Sequence, residues 1–231
     1  MRGCNEIEVI DFGLKAYQEV LTLQETLLNT LVEAKRQEKK RKEYVLIGEH
    51  QPVITLGRRA KESNVLVSED ILKSKGIGVY HIGRGGDVTY HCPGQLIVYP
   101  IIELDKHHIS VKEYVGLLEE TVIQLLAKYG IKGERIEGAT GVWIGKGSDN
   151  ERKISAIGVK CSRFCTMHGL SLNVNSNLNG FTFINPCGFQ NKGVTSMKKE
   201  FEIQGLKEGV ISIENVKKEF LDIFFSLIFP L

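Results

Sequence analysis

The chain contains two residue types that together can form an activated nucleophile. Cys187 lies on a turn between Pro186 and Gly188, and a thiol on such a turn is more accessible than one inside a sheet. Lys153 begins an apolar strand segment, and a cation close to a cysteine favours the thiolate, which is the nucleophilic form. The alternative is that Cys187 is an inert packing residue, as most buried cysteines are. Sequence spacing alone does not decide between these two interpretations.

A glycine-rich stretch is the second candidate site. Residues 83–100 read Gly-Arg-Gly-Gly-Asp-Val-Thr-Tyr-His-Cys-Pro-Gly-Gln-Leu-Ile-Val-Tyr-Pro, and glycine lets a ligand approach the backbone closely. The planar guanidinium of Arg84 suits a carboxylate, a phosphate or an amide carbonyl. The glycine spacing fits neither the dinucleotide fingerprint nor a phosphate-binding P-loop. His91 is a base, a ligand or a structural histidine, and taken alone the structural role is favoured.

A metal site is the weakest candidate. Cys161, Cys165 and His168 follow the spacing Cys-x3-Cys-x2-His, whereas structural zinc sites usually combine tighter cysteine pairs and four ligands. No fourth ligand can be assigned. We therefore predict no metal.

Composition excludes several classes of partner. The 231 residues suit one domain spanning 1–231, with 42% hydrophobic and 25% charged residues and a net charge of +2. That charge gives no argument for nucleic acid or an anionic membrane, and the basic run at 35–42 is best explained as a solvated helix end. Five cysteines in a chain of this length, with acidic residues near the N-terminus, favour a reducing, cytoplasmic location. A monomer is expected.

Local patterns predict the main elements. Apolar residues at three- and four-residue intervals predict a helix from Tyr17 to about Arg41. Ser110 and Glu113 match a capping box that opens another helix. Short strands are expected at 6–12, 44–49, 53–56, 77–82, 153–158 and 168–174, and a hairpin within 133–147. We predict that His107 and His108 are exposed and that the apolar C-terminus is a docked helix, too short to span a bilayer.

Several motifs, taken together, resemble the lipoyl(octanoyl) transferase family. They are Arg84-Gly-Gly-Asp-Val-Thr-Tyr-His91 with Pro93-Gly-Gln95 and Tyr99, His50-Gln-Pro52, Lys153-Ile-x-Ala-Ile-Gly158, His168-Gly-Leu-x-Leu-Asn-Val174 and Ile184-Asn-Pro-Cys-Gly188. They occur in the family's order and spacing. The resemblance covers roughly residues 5 to 225.

The resemblance implies an α+β fold, with a mixed β-sheet core flanked by helices, similar to the catalytic domains of biotin protein ligase and lipoate-protein ligase. It implies an enzyme that transfers an octanoyl group from octanoyl-acyl carrier protein to a specific lysine of apo lipoyl domains, in oxo-acid dehydrogenase E2 subunits or the glycine cleavage H protein. No cofactor is expected. Cys187 would hold the acyl group as a thioester, and Lys153 would lower its pKa and assist the transfer. The residues implied to line the acyl pocket are Arg84, Gly85, Gly86, Asp87, Val88, Thr89, Tyr90, His91, Ala156, Ile157, Gly158, Gly169, Leu170 and Ser171.

The chain departs from the family pattern at three positions. Cys92 stands where the family generally has Gly, Ser155 replaces a small apolar residue and Thr140 replaces Pro. None of these changes removes a functional side chain. For Cys92, a packing role is favoured over that of an oxidisable thiol.

Two other function classes stay open. One is an ATP-dependent lipoate or biotin ligase on the same fold, which would adenylate a free acid. The other is a non-catalytic module that binds carrier domains.

Overall fold

A mixed sheet whose central strands are buried on both faces organises the chain. The structure is a computed structural model that describes residues 7–185, 192–205 and 211–229. In spatial order the strands are β1 (Ile7–Lys15), β2 (Glu43–His50), β6 (Gln95–Ile101), β10 (Cys165–Asn173), β9 (Arg152–Ser162), β8 (Ala139–Ile144) and β7 (Glu134–Ile136). The β1–β2 pair is parallel and the other neighbours are antiparallel. The short strand β11 (Gly193–Val194) adds to β9 in parallel.

A second, smaller sheet carries the glycine-rich stretch. Its strands are β4 (Gly78–His81), β3 (Val53–Leu56) and β5 (Val88–His91), in that spatial order. The predicted strands at 44–49 and 53–56 therefore both form, but they belong to different sheets. The sharp turn at residues 51–52 separates the two sheets.

Among the described residues, five α-helices flank the sheets. They are α1 (Tyr17–Arg36), α2 (Glu69–Ser74), α3 (Val111–Lys128), α4 (Met197–Ile203) and α5 (Ile213–Ile228), with 3-10 turns at Glu62–Asn64 and Leu178–Phe183. The predicted capping box forms at the start of α3: the Glu113 N–H donates to Ser110 Oγ, and the Ser110 N–H donates to the Glu113 carboxylate. A mixed sheet flanked by helices confirms the predicted fold class.

Alternation along the central strands divides the core into two layers. Val45 and Ile47 of β2 face a large cluster formed with α3 and α5, whereas Leu46 faces a second cluster formed with α1. The continuous apolar runs in β2 and β6 follow from this arrangement, because a strand covered on both faces has no solvent-facing side. A third cluster, around Ile54 and Leu72, lies between the small sheet and α2.

Two local predictions are wrong. Helix α1 ends at Arg36 rather than near Arg41, because Glu38 adopts a left-handed conformation with φ 53°. His107 is half-buried rather than exposed: its Nε2 lies 2.9 Å from Glu43 Oε1 and its ring 4.6 Å from that of Phe229. Burial acts to raise the pKa of Glu43, but hydrogen bonds from the His107 ring and the Glu103 N–H lower it overall.

The C-terminal helix is docked, as predicted. Phe220 and Phe224 of α5 are completely buried against α3 and the sheet. Among the described residues, no helix is long and apolar enough to cross a bilayer.

Replacing Phe220 with alanine tests this docking. We expect Phe220→Ala to lower the free energy of unfolding by about 3–5 kcal/mol, because it leaves a cavity in the largest core cluster. Phe225→Ala, the matched control on the half-buried side of the same helix, should cost clearly less. Urea denaturation curves of both variants measure the difference; equal losses would mean that α5 is not docked through Phe220.

Candidate active site

The predicted site segments meet at one cavity. The cavity has a volume of about 510 Å³ and lies between the turn at 84–87, strands β9 and β10, and the start of α1. Lys153 lines it, and so does every predicted pocket residue except Tyr90. Motifs separated by about 70 residues in sequence thus form one wall.

Tyr90 takes a different place. It lies in the cluster behind the small sheet, where its ring centroid is 5.6 Å from that of Phe181, and burial raises its pKa to about 12. A Cβ at Gly180 would come within 2.2 Å of the Tyr90 ring. Tyr90 therefore supports the 3-10 turn beside the cavity rather than the cavity wall.

Sequence reasoning missed several lining residues. They are Tyr17, Arg59, Tyr99, Val115, Trp143, Asn173, Phe181, Lys192 and Val194, together with His168, which the sequence suggested as a motif residue and a possible metal ligand but not as a pocket residue. Tyr99, His168 and Asn173 stand in family motifs, and this was the available signal. Tyr17 and Val115 lie within helical apolar patterns, which do not distinguish a cavity wall from a core.

Arg84 holds the glycine turn in place. Its Nη2 donates to the backbone oxygen of Thr55 at 2.8 Å and to Thr55 Oγ1 at 3.0 Å, and its Nη1 donates to the Gly85 oxygen at 2.9 Å. The backbone packs closely against this turn on both sides. A Cβ at Gly57 would lie 2.6 Å from the Gly86 oxygen, and a Cβ at Gly158 would lie 2.7 Å from the Gly85 oxygen. These contacts explain why glycine is needed at both flanking positions.

Three buried histidines lie at or beside the cavity: His91 and His168 line it, and the His50 ring lies 6.1 Å from that of His91. His50 Nδ1 donates to the Lys15 backbone oxygen, and its Nε2 lies 3.0 Å from the hydroxyl of Tyr99. His91 Nδ1 donates to Gln95 Oε1 at 2.8 Å. Burial lowers the pKa of His50 to about 4, and burial together with nearby Arg84 lowers the pKa of His168 to about 3. Burial and the neighbouring His50 lower that of His91 to about 3. The three rings are therefore neutral at physiological pH.

A chain of buried hydrogen bonds links His91 to the strand beside Lys153. Beyond His91, Gln95 Nε2 donates to Asn173 Oδ1, and Asn173 Nδ2 donates to the Thr195 backbone oxygen, both at 2.8 Å. The Thr195 N–H donates to the Lys153 oxygen at 3.0 Å. We call the set His91, Gln95, Asn173 and Thr195 the buried relay. It joins the glycine-rich stretch, β10 and the segment after β11.

An ion pair anchors the far end of the buried relay. The Thr195 hydroxyl donates to Glu200, whose carboxylate accepts two hydrogen bonds from Arg152 at 2.6 and 2.5 Å. The pKa of Glu200 is lowered: burial acts to raise it, and the bonds from Arg152 and Thr195 outweigh that effect. Arg152 immediately precedes Lys153, so this clamp holds the backbone from which Lys153 projects.

Lys153 reaches the cavity over an aromatic face. Its Nζ donates to the Thr140 oxygen at 3.0 Å and lies 4.6 Å from the centre of the Trp143 ring. Lys192 lies 5.0 Å from the same ring and pairs with Glu151 at 2.7 Å. The Lys153 contact uses the backbone oxygen of Thr140, which any residue provides. Threonine can therefore accept this hydrogen bond at a position where the family has proline.

Cys187 lies outside the described residues. The described segments on either side are anchored at the cavity. On the N-terminal side, the Asn185 N–H donates to the Asn64 oxygen at 2.8 Å, and the Asn64 amide donates to the Asp87 carboxylate. On the C-terminal side, β11 pairs with Arg152 and Lys153.

Of the other cysteines, the described residues include Cys92, Cys161 and Cys165. Cys92 is 3% exposed, packs in the cluster behind the small sheet and does not have a positive φ, so it packs as predicted. Burial raises the pKa of its thiol to about 11. Gly94 takes the left-handed conformation of this turn, with φ 84°. Within the described residues, no group of three potential metal ligands comes together; Cys161 is exposed and Cys165 is buried.

Comparison with known proteins identifies the family of this chain. The model of the lipoyl protein ligase A/B catalytic domain matches residues 16–225. The chain belongs to this family. It is 44% identical over 215 residues to an octanoyltransferase of Parabacteroides distasonis, covering 93% of this chain and 96% of that relative. The chain is accordingly an acyltransferase of the lipoyl ligase family.

Solved structures of two ligases share the fold at low identity. A bipartite lipoate protein ligase of Thermoplasma acidophilum, described with its E2 lipoyl domain, superposes with a TM-score of 0.59 at 16% identity, over 96% of this chain and 82% of that one. Biotin protein ligase of Aquifex aeolicus, in complex with biotin and ATP, superposes with a TM-score of 0.52 at 14% identity, over 96% and 70%. The predicted likeness to both ligase folds is confirmed.

The neutral histidines predict a loss of stability in mild acid. Because the folded-state pKa values are about 3 to 4 and the ordinary value is 6.5, the unfolded chain binds more protons below pH 6.5. The associated stability is complete above that pH and is lost as the pH falls toward 3. From pH 7 to pH 5 we expect each histidine to cost about 2 kcal/mol of unfolding free energy.

Urea denaturation at a series of pH values measures this slope. His91→Gln, which keeps a donor for Gln95, should reduce the slope near pH 5 by about one proton. His108→Asn, at an exposed position, should leave it unchanged. Equal slopes in the wild type and His91→Gln would contradict a neutral, buried His91.

Proposed function

We propose that this chain transfers an octanoyl group from octanoyl-acyl carrier protein to a specific lysine of an apo lipoyl domain, through a thioester on Cys187. The observation that carries the proposal is the convergence of Lys153 and the three glycine segments, 84–86, 156–158 and 169–171, on one cavity. The name of the P. distasonis relative supports the octanoyl group. The lipoyl domain described with the archaeal ligase supports the class of acceptor.

The first half-reaction loads the enzyme. The Cys187 thiolate attacks the carbonyl carbon of the octanoyl thioester, a new carbon–sulfur bond forms, and the bond to the carrier's sulfur breaks. The carrier thiolate leaves and takes up a proton. Since a thioester is already activated, this exchange needs neither ATP nor a metal.

The second half-reaction delivers the acyl group. The neutral amine of the target lysine attacks the same carbonyl carbon, forms an amide and expels the Cys187 thiolate, while the amine loses a proton to solvent or to the released thiolate. The Lys153 ammonium supports both steps, because a nearby positive charge stabilises the thiolate as nucleophile and as leaving group. The contacts of Lys153 with the Trp143 face and the Thr140 oxygen suit a charged ammonium group.

The cavity interior suits an acyl chain. Neutral imidazoles and the side chains of Ile157 and Leu170 present no charge to it, and each buried CH₂ contributes about 0.8 kcal/mol. We expect the chain to act as a monomer. The odd number of cysteines, five, supports a reducing, cytoplasmic setting.

Transfer without ATP tests the proposal against both alternatives. We expect wild-type protein, mixed with octanoyl-acyl carrier protein and an apo lipoyl domain, to yield octanoylated domain, and mass spectrometry to detect octanoyl-Cys187 when the acceptor is omitted. Cys187→Ala should abolish both products, and Cys92→Ala should retain them because the Cys92 thiol is buried and protonated. Turnover only with ATP and free octanoate would favour a ligase. Binding without turnover would favour a carrier-binding module.

Replacing Lys153 tests its role separately. We expect Lys153→Met to lower kcat/KM at least about 100-fold and to shift the pH profile of Cys187 alkylation, followed by peptide mass spectrometry, to higher pH. Lys192→Met is the matched comparison over the same Trp143 ring. It should leave the alkylation profile in place, because Glu151 already neutralises Lys192. Equal shifts in the two variants would contradict the assignment of Lys153.

A further inference from the structure

We propose that Arg59 and Lys160 form a phosphate subsite at the mouth of the cavity, which binds the phosphodiester of the donor's phosphopantetheine arm. This inference rests on the proposed function, because acyl carrier proteins present acyl groups on that arm. It assigns a ligand to two basic residues that the transfer chemistry does not use.

The two cations flank the same glycine turn. On one side, the Arg59 N–H donates to the Gly86 oxygen at 3.1 Å, and Arg59 lines the cavity with its side chain exposed. On the other side, the Gly85 N–H donates to the oxygen of Val159, the residue before Lys160, at 2.8 Å. The Lys160 side chain lies over the turn, since a Cβ at Gly83 would be 3.3 Å from its Cδ and 3.7 Å from its Nζ.

Neither cation is neutralised within the part of the chain that the structure describes. There, Arg59 and Lys160 make no ion pair or hydrogen bond through their side chains, whereas Lys192 pairs with Glu151. Asp87 is the sole acidic lining residue in those segments, and its carboxylate accepts hydrogen bonds from the Asn64 amide and the Val88 N–H. The mouth therefore has an excess of positive charge that a bound anion would balance.

The chemistry of the two side chains favours phosphate. A guanidinium binds phosphate through two parallel hydrogen bonds, and an ammonium adds a point charge without a directional requirement. Arg59 is exposed and Lys153 is half-buried, so an arm that enters past Arg59 keeps its charged end near water. Its thioester then continues toward Lys153.

Two soluble donors that differ only in the phosphate test the subsite. With octanoyl-4′-phosphopantetheine and octanoyl-pantetheine, and an apo lipoyl domain as acceptor, we expect the wild type to show about tenfold higher kcat/KM for the phosphorylated donor. Arg59→Gln should bring this preference close to one, because it lowers kcat/KM for the phosphorylated donor more than for octanoyl-pantetheine, and Lys160→Gln should reduce the preference in part. Arg58→Gln is the matched control, because it removes the same charge from an exposed neighbour that does not line the cavity; it should keep the preference.

Competition supplies a second readout. In the wild type, 4′-phosphopantetheine should inhibit transfer from octanoyl-acyl carrier protein about tenfold better than pantetheine. In Arg59→Gln, the two inhibitors should be equally potent. The subsite is overturned if the wild type does not distinguish the two inhibitors, or if Arg59→Gln weakens both donors alike. An effect of Arg59→Gln on the carrier protein alone would instead indicate a contact with the carrier's acidic surface. Failure of the wild type to transfer octanoyl even from the carrier protein would sink the proposed function instead.

Discussion

The site depends on the buried relay that runs from His91 through Gln95 and Asn173 to Thr195. Each of these groups is nearly inaccessible to water, so a missing partner would leave a buried donor or acceptor unsatisfied at a cost of about 1–3 kcal/mol. The relay is satisfied only when β5, β10 and the segment after β11 occupy their observed positions together. It therefore ties the glycine-rich stretch to the backbone of Lys153, about 60 residues later in the sequence.

Close backbone approach is the second constraint. Strands β6 and β10 come so close that a Cβ at Gly169 would lie 2.2 Å from the Val98 oxygen. The turn at 84–86 is in similarly close contact with the backbone of Gly57 and Gly158. These glycines are required by the packing of one backbone on another. This part of the cavity wall is therefore closely packed main chain, which Arg84 stabilises through its hydrogen bonds to Thr55.

Neutral and positively charged side chains occupy different parts of the site. Burial keeps His50, His91 and His168 neutral, so the inner part suits an uncharged acyl chain. Positive charge is found at Lys153, the proposed place of reaction, at Arg84, which is held by Thr55, and at Arg59 and Lys160, the proposed phosphate subsite. This distribution would suit the proposed donor, which has an apolar end, a reactive thioester and an anionic arm.

The sequence by itself determined most of the elements and, through the family motifs, part of the cavity wall. Hydrophobic periodicity, the Ser110 capping box and the alternation of the strands are local properties of the sequence. The motif residues came together at the cavity because glycine turns and strand ends can take few other positions in the fold. Other outcomes depended on contacts between distant segments. The direction of Tyr90 was decided by Phe181, the burial of His107 by Glu43 and Phe229, and the place of Lys153 by Trp143. The partners of Arg84 could not be predicted either, because a guanidinium beside a glycine turn fits a ligand as well as a backbone oxygen. Only the tertiary structure decided among these choices, because the free energy of each comes from burial and pairing with residues that the local sequence does not specify.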